Sequence, residues 1–200
     1  MKRNRPGILF FTVMAILCWM IAAGFTPDKS DRAVYLSMMD KMMDQMMKQS
    51  STVSPETDFL QQMIPHHQGA IEMAGYEISH GKDFEMIQLA KSIQAEQQTE
   101  VQLMNTWLHS PSILKSSVPK GYAKEMQHTM DVMMETMMHD QATKTGDYAF
   151  AQIMIPHHQA AIDMAKVVLK YASDPTVTAF AKLLISNEQV EIEQMSSFTK

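Results

Sequence analysis

The 200-residue chain has one cysteine, Cys18, so it can form no intrachain disulfide and no zinc or iron–sulfur site built on cysteines. Only 7 glycines and 8 prolines stand beside 46% hydrophobic residues, which excludes a collagen-like, low-complexity or disordered chain. A basic excess is also missing. Seventeen Lys and Arg face 22 Asp and Glu, for a formal charge of −5, so no global charge balance favours nucleic acid. There is no H-E-x-x-H, no G-x-S-x-G and no phosphate-binding loop, and nothing argues for an enzyme. No segment shows the two-residue alternation of a half-buried strand. The length suits one domain or two small repeats around a sizeable core.

What the chain has in excess is methionine, 22 in all, several times the roughly 2% of ordinary composition. Part of that excess belongs to an N-terminal address. Lys2, Arg3 and Arg5 precede an apolar run over residues 8–23, and Ala22 and Gly24 supply small residues before a cleavage point. This order predicts a signal peptide, residues 1–24, and a periplasmic or secreted protein. An uncleaved anchor is the lesser alternative, because a membrane span needs about 20 apolar residues. Leu17 before Cys18 is too large for a good lipobox. Cleavage removes the thiol, three methionines and three basic residues, taking the formal charge from −5 to −8. A thiol-free acidic chain suits an oxidising compartment, and its soft metal ligands are limited to thioether and imidazole.

The remainder is duplicated. A shift of 91 residues lays Met63-Ile64-Pro65-His66-His67-Gln68 on Met154-Ile155-Pro156-His157-His158-Gln159. The same shift pairs Met73 with Met164, Glu100 with Glu191, Met104 with Met195 and Trp107 with Phe198, with no gap between residues 39 and 107. This is a repeated supersecondary unit, with a first helical repeat over 25–112 and a second over 113–200 in one compact domain. Each unit reads as three helices: 31–49, one starting near Ser54, and 83–108; then 122–141, one starting at Asp147, and 174–198. The fold predicted is all-α, with four long helices in a bundle and additional Met-rich helices packed on it.

On the second helix of each unit Met63, His66, Ala70, Met73 and Glu77 share a face, and His67 lies one step round. Imidazole suits copper and zinc. Thioether shifts the preference to Cu(I) and its analogue Ag(I), while Cu(II) is better served by the histidines. Met63, His66, His67 and Met73, with Met154, His157, His158 and Met164, are therefore candidate metal ligands. Pro65 and Pro156 are expected inside these helices rather than at their first turns, since Phe59 and Phe150 continue the apolar spacing upstream. A buried histidine is more often a satisfied core residue, but here that account must explain His-His twice with the same flanking methionines.

The first helix of each unit carries pairs of methionines in place of mixed aliphatic residues: Met38, Met39, Met42, Met43, Met46 and Met47, then Met126, Met130, Met133, Met134, Met137 and Met138 with His128 and His139. A methionine stripe usually packs a core. A core under no chemical demand would mix in Leu, Ile and Val, so Met39, Met42, Met43, Met46, Met47, Met130, Met133, Met134, Met137, Met138, His128 and His139 join the metal candidates. An adaptable Met-rich docking or chaperone surface and a sacrificial oxidant sink are the competing readings. The two Glu-x-x-His matches, at Glu77 and Glu125, do not correspond under the shift, which weakens a di-iron bundle.

The dodecamer M-I-P-H-H-Q-x-A-I-x-M-A, present twice, resembles the domain of unknown function 305 family. So does the Glu-x-x-x-Met-x-x-Trp/Phe spacing that begins at Glu100 and Glu191. The resemblance covers nearly the whole mature chain. It implies a ferritin-like helical fold and, from the family's periplasmic copper-resistance members, copper capture outside the cytoplasm by the doubled Met/His positions. The combined expectation is a copper-binding protein that sequesters Cu(I), or passes it to an exporter, sensor or cuproenzyme, with no nucleic-acid partner and no membrane contact after signal cleavage.

Overall fold

The computed structural model describes residues 30–49, 54–111, 113, 119–139 and 146–199, without the side chains of residues 137–139. The expected signal segment, 1–24, lies outside the described residues. Among the described residues six helices follow one another: α1 (Asp31–Met47), α2 (Pro55–His80), α3 (Phe84–Trp107), α4 (Tyr122–His139), α5 (Asp147–Tyr171) and α6 (Pro175–Phe198). No strand occurs among the described residues, and no helix there is long and apolar enough to cross a membrane.

Local chemistry sets the helix starts. Ser54 caps α2 by accepting from Thr57 N, with Pro55 at the first position where no donor is lost. Asp83 caps α3 through Met86 N, and Asp174 caps α6 through Thr176 N and Val177 N. α5 starts differently, at Gly146, whose φ of 70° and ψ of −143° give no side-chain cap. α2 and α5 run through Pro65 and Pro156. α1 ends two residues short of the expected 49, and the last two residues expected of the fourth helix, 140–141, lie outside the described residues.

The long helices pack as two hairpins, α2 with α3 and α5 with α6, joined by α2 against α5. The Met-rich helices lie outside this bundle. α1 packs on both α2 and α5, and α4 packs chiefly on α5. Neither has the other as a main neighbour, so the stripes do not form one continuous face-to-face methionine layer. The hairpins are tied reciprocally. Glu56 at the start of α2 accepts from Ser173 N (2.7 Å) and Asp174 N (3.2 Å), in the turn before α6. Asp147 at the start of α5 accepts from Lys82 N (2.7 Å) and Asp83 N (2.9 Å), in the turn before α3. All three positions in one latch are 91 residues from their counterparts in the other, so the duplication is expressed as a local twofold axis between α2 and α5.

Candidate metal centre

The axis runs through histidine. His66, His67, His157 and His158 are all fully buried. The rings of His66 and His157 lie 3.8 Å apart between centroids, tilted by 32°. His67 Nε2 donates to Glu100 Oε2 and His158 Nε2 to Glu191 Oε2, both at 2.7 Å. A carboxylate only accepts, so Nε2 carries the proton and a neutral ring is left with its lone pair on Nδ1. Among the described residues the Nδ1 atoms of His67, His157 and His158 have no hydrogen-bond partner, and neither nitrogen of His66 has one. Burial first, then the neighbouring imidazoles, holds His66 and His157 well below the usual histidine range, so both are neutral donors of a lone pair. A carboxylate that fixes one ring nitrogen while the other stays free is the support a metal-binding imidazole needs.

Sulfur reaches this cluster from α1. Met42 Sδ lies 3.2 Å from His157 Nε2, which is also 3.2 Å from the His66 carbonyl. The close approach depends on Gly69 on α2, since a methyl group there would stand 2.7 Å from Met42 Sδ. Glycine is needed here for close packing. Both partners of His157 Nε2, the thioether and the carbonyl, are acceptors, so that nitrogen carries the proton and the lone pair is on Nδ1. Neutral imidazole and thioether with no thiol are the donor types that suit a soft monovalent ion.

Beyond the histidines the axis continues as a polar seam between α3 and α6. Gln97 donates to Glu188 at 3.3 Å and Asn187 donates to Glu96, each pair again 91 residues apart. Burial first, then Glu191, Glu100 and Glu96, pushes the Glu188 carboxyl well above the ordinary range. Two grooves related by the same axis flank the seam. One of about 940 Å³ includes Leu89, Glu96, Asn187, Glu191 and Phe198; its mate of about 580 Å³ includes Phe180, Asn187, Glu96, Glu100 and Trp107. Glu191 and Glu100 thus connect each groove to a histidine.

The remaining candidates divide. Met63, Met73, Met154 and Met164 are fully buried on α2 and α5, and Met39, Met42, Met43, Met46, Met130 and Met133 are buried on the Met-rich helices. Met47 is 72% exposed and Met134 43% exposed, and His128 is also at the surface. The side chains of Met137, Met138 and His139 lie outside the described residues. His80 stacks on Tyr76 and Glu77 bonds to Tyr35, while Glu125 bonds to Lys170 and Tyr171, so the two Glu-x-x-His matches do not converge. Among the described residues no three His, Asp or Glu side chains stand close enough to hold a metal by themselves. Sequence reasoning missed Glu100 and Glu191 as histidine partners and Gly69 as the seat of Met42. The glutamates had a signal, because both are identical under the 91-residue shift and both stand 33 residues beyond their histidines.

The sequence profile described as Domain of unknown function (DUF305) matches residues 23–108 and 56–199. The chain belongs to the DUF305 family. Solved structures similar to this DUF305 protein include CopM in its Cu(II)-bound form, 29% identical with a TM-score of 0.55 over 72% of this chain and 95% of that one. CopM in its Cu(I)-bound form is 27% identical, with a TM-score of 0.54 over 75% and 96%. A silver-bound form of CopM is 28% identical, with a TM-score of 0.54 over 72% and 93%. No functionally curated protein matches the chain by sequence. The all-α bundle is therefore shared with these CopM structures. The histidines on the axis of this chain are the second and third residues of the Pro-His-His motif that marks its membership.

Proposed function

We propose that this protein binds copper outside the cytoplasm, holding Cu(I) with Met and His and Cu(II) with His, and that it sequesters the metal or passes it on. The observation that carries this reading is a cluster of four buried histidines with unpartnered ring nitrogens and two carboxylate partners, one of which, His157, meets the thioether of Met42. The CopM structures with Cu(I), Cu(II) and silver bound support the choice of metal, with Ag(I) as the soft analogue of Cu(I). Glu100 and Glu191 orient His67 and His158, burial excludes water, and the soft donors favour the monovalent ion. Both repeats, 25–112 and 113–200, contribute to this centre as one unit. The buried methionines of the stripes, Met39, Met42, Met43, Met46, Met130 and Met133, offer further thioethers, and residues 1–24 direct the chain to the periplasm or outside. A recipient, whether an exporter, sensor or cuproenzyme, takes the metal from a binding protein that is not itself an enzyme.

Titration of the mature chain with Cu(I) against a chromogenic chelator tests this directly. At least one equivalent should be retained. Retention below one equivalent, or unchanged retention after Met→Leu replacement throughout both stripes, overturns the reading. The exposure of Met47 and Met134 favours a second reading, a Met-rich docking module. That reading requires client binding that chelators leave untouched.

A further inference from the structure

The outer face of α3 and α6 carries almost no charge. The grooves of about 940 and 580 Å³ run along it, and of the exposed side chains that line them only Glu85 is charged. The outer faces of the Met-rich helices are different, with Asp40, Lys41 and Asp44 exposed on α1 and Lys124, Asp131 and Glu135 on α4. In place of charge the α3–α6 face has apolar side chains. Phe84, Leu103, Leu183, Val190 and Phe198 all line its grooves, and they are five of the eight exposed large hydrophobic side chains among the described residues. Single exposed hydrophobic residues need no explanation, but a contiguous apolar strip marks a docking surface. α1 and α4 pack on α2 and α5, which leaves α3 and α6 without a covering helix. The face is also built on the local twofold axis. One groove joins the start of α3 to the end of α6, the other joins the end of α3 to the start of α6, and Glu96 and Asn187 line both. An apolar patch therefore stands at each end, with the polar seam at the centre.

We infer that this face packs against the α3 and α6 of a second copy of the chain, giving a twofold-symmetric dimer. An interface between identical copies needs a surface that matches itself. The internal axis supplies that match, since either apolar end of one copy meets an apolar end of the other and seam meets seam. Charge points the same way. The chain has a formal charge of −5, so two copies approach with least repulsion where charge is absent, and a basic partner finds no acidic rim here to hold it. The carboxylates beneath the surface are already engaged, Glu100 and Glu191 by histidines and Glu96 by Asn187. Size is sufficient as well. α3 and α6 have 24 residues each, so the face is about 36 Å long and roughly 20 Å wide, or about 700 Å² per partner, close to the ~800 Å² of a standard stable interface. The dimer stands or falls apart from metal binding.

Sedimentation equilibrium of the mature chain tests this. The parent should sediment at twice the mass of one chain over about 10–100 μM, concentrations at which a standard-size interface is well populated. Leu183→Glu combined with Val190→Glu sets one charge in each apolar end and should weaken association by about a hundredfold or more. Val132→Glu, at a similarly exposed aliphatic residue on α4, should leave it within about twofold. If the glutamate pair loses helical circular dichroism, Leu183→Ser with Val190→Ser replaces it and should weaken association by about tenfold. A parent that stays monomeric across the range overturns the dimer and leaves the face to a partner of other chemistry. A dimer that survives the α6 variants, or that Val132→Glu breaks instead, has its interface elsewhere and overturns the inference equally.

Discussion

His67 and His158 meet Glu100 and Glu191 at the same distance, 2.7 Å, and over the same 33 residues of chain, whereas Met42 reaches His157 and no matching contact joins Met133 to His66 among the described residues. The imidazole–carboxylate pairs belong to the four bundle helices, whose mutual placement is fixed by the reciprocal latches of Glu56 and Asp147. Duplication therefore reproduces them. The methionine helices are laid on the outside of the bundle, where the halves differ: Met42 lies directly on Gly69, whereas the position matching Gly69 in the second half is Ala160.

The largest effect is expected where the halves agree. Glu100→Ala and Glu191→Ala each leave a buried imidazole without its acceptor, which costs about 2–3 kcal/mol for a hydrogen bond to an ionisable group. Urea denaturation should give the two variants the same loss. A difference between them above about 1.5 kcal/mol, half or more of the whole effect, would show that the carboxylate supports are not equivalent and would break the comparison at its symmetric end.

A second prediction concerns a position where the halves disagree outright, Glu77 against Val168. Both are buried. Tyr35 donates to Glu77 at 2.6 Å, and burial first, with the carboxylates of Asp147 and Asp31 adding to it, raises the Glu77 carboxyl from 4.5 to about 8. The folded chain therefore keeps a proton that the unfolded chain has released, so stability is greatest below about 4.5 and falls as pH rises toward 8. The loss should be on the order of 1–2 kcal/mol, since the polar groups around the carboxyl screen part of it. Denaturation midpoints across that range should slope downward in the parent chain and flatten in Glu77→Gln. A slope that survives in Glu77→Gln would place the titration elsewhere.

Much of this was legible in the sequence because the shift of 91 residues constrains two helices at once. The three-helix repeat, the caps at Ser54, Asp83 and Asp174, and the burial of Met63, His66, Met73 and Glu77 on one face all follow from local chemistry and a 3.6-residue period. The continuity of α2 through Pro65 followed from Phe59 upstream. The methionine stripes were less legible. Periodicity places Met39, Met42, Met43 and Met46 on one face, and they are buried together, but only tertiary packing brings Met42 to histidine and leaves Met47 exposed. Contacts across the axis, such as His66 on His157, join residues distant in sequence and leave no mark in local pattern. Nothing in the local pattern marks Gly69, because its close contact is with Met42 on another helix.

The smallest effect sharpens the comparison at the helix starts. Ser54 caps α2 through its hydroxyl, whereas Gly146 starts α5 through backbone conformation alone, with φ 70° and ψ −143° in a region open essentially only to glycine. Ser54→Ala and Gly146→Ala should each cost about 1 kcal/mol, for different reasons. Rescue separates them. Ser54→Asp keeps an acceptor for the Thr57 N–H and should recover most of the loss, because the cap is a side-chain function. Gly146→Asp should be no better than Gly146→Ala. A methyl group at 146 meets nothing within 4 Å, so the penalty is backbone strain, which a capping oxygen does not relieve. Recovery by Asp at 146 would mean that the second histidine helix, like the first, is started by a side chain.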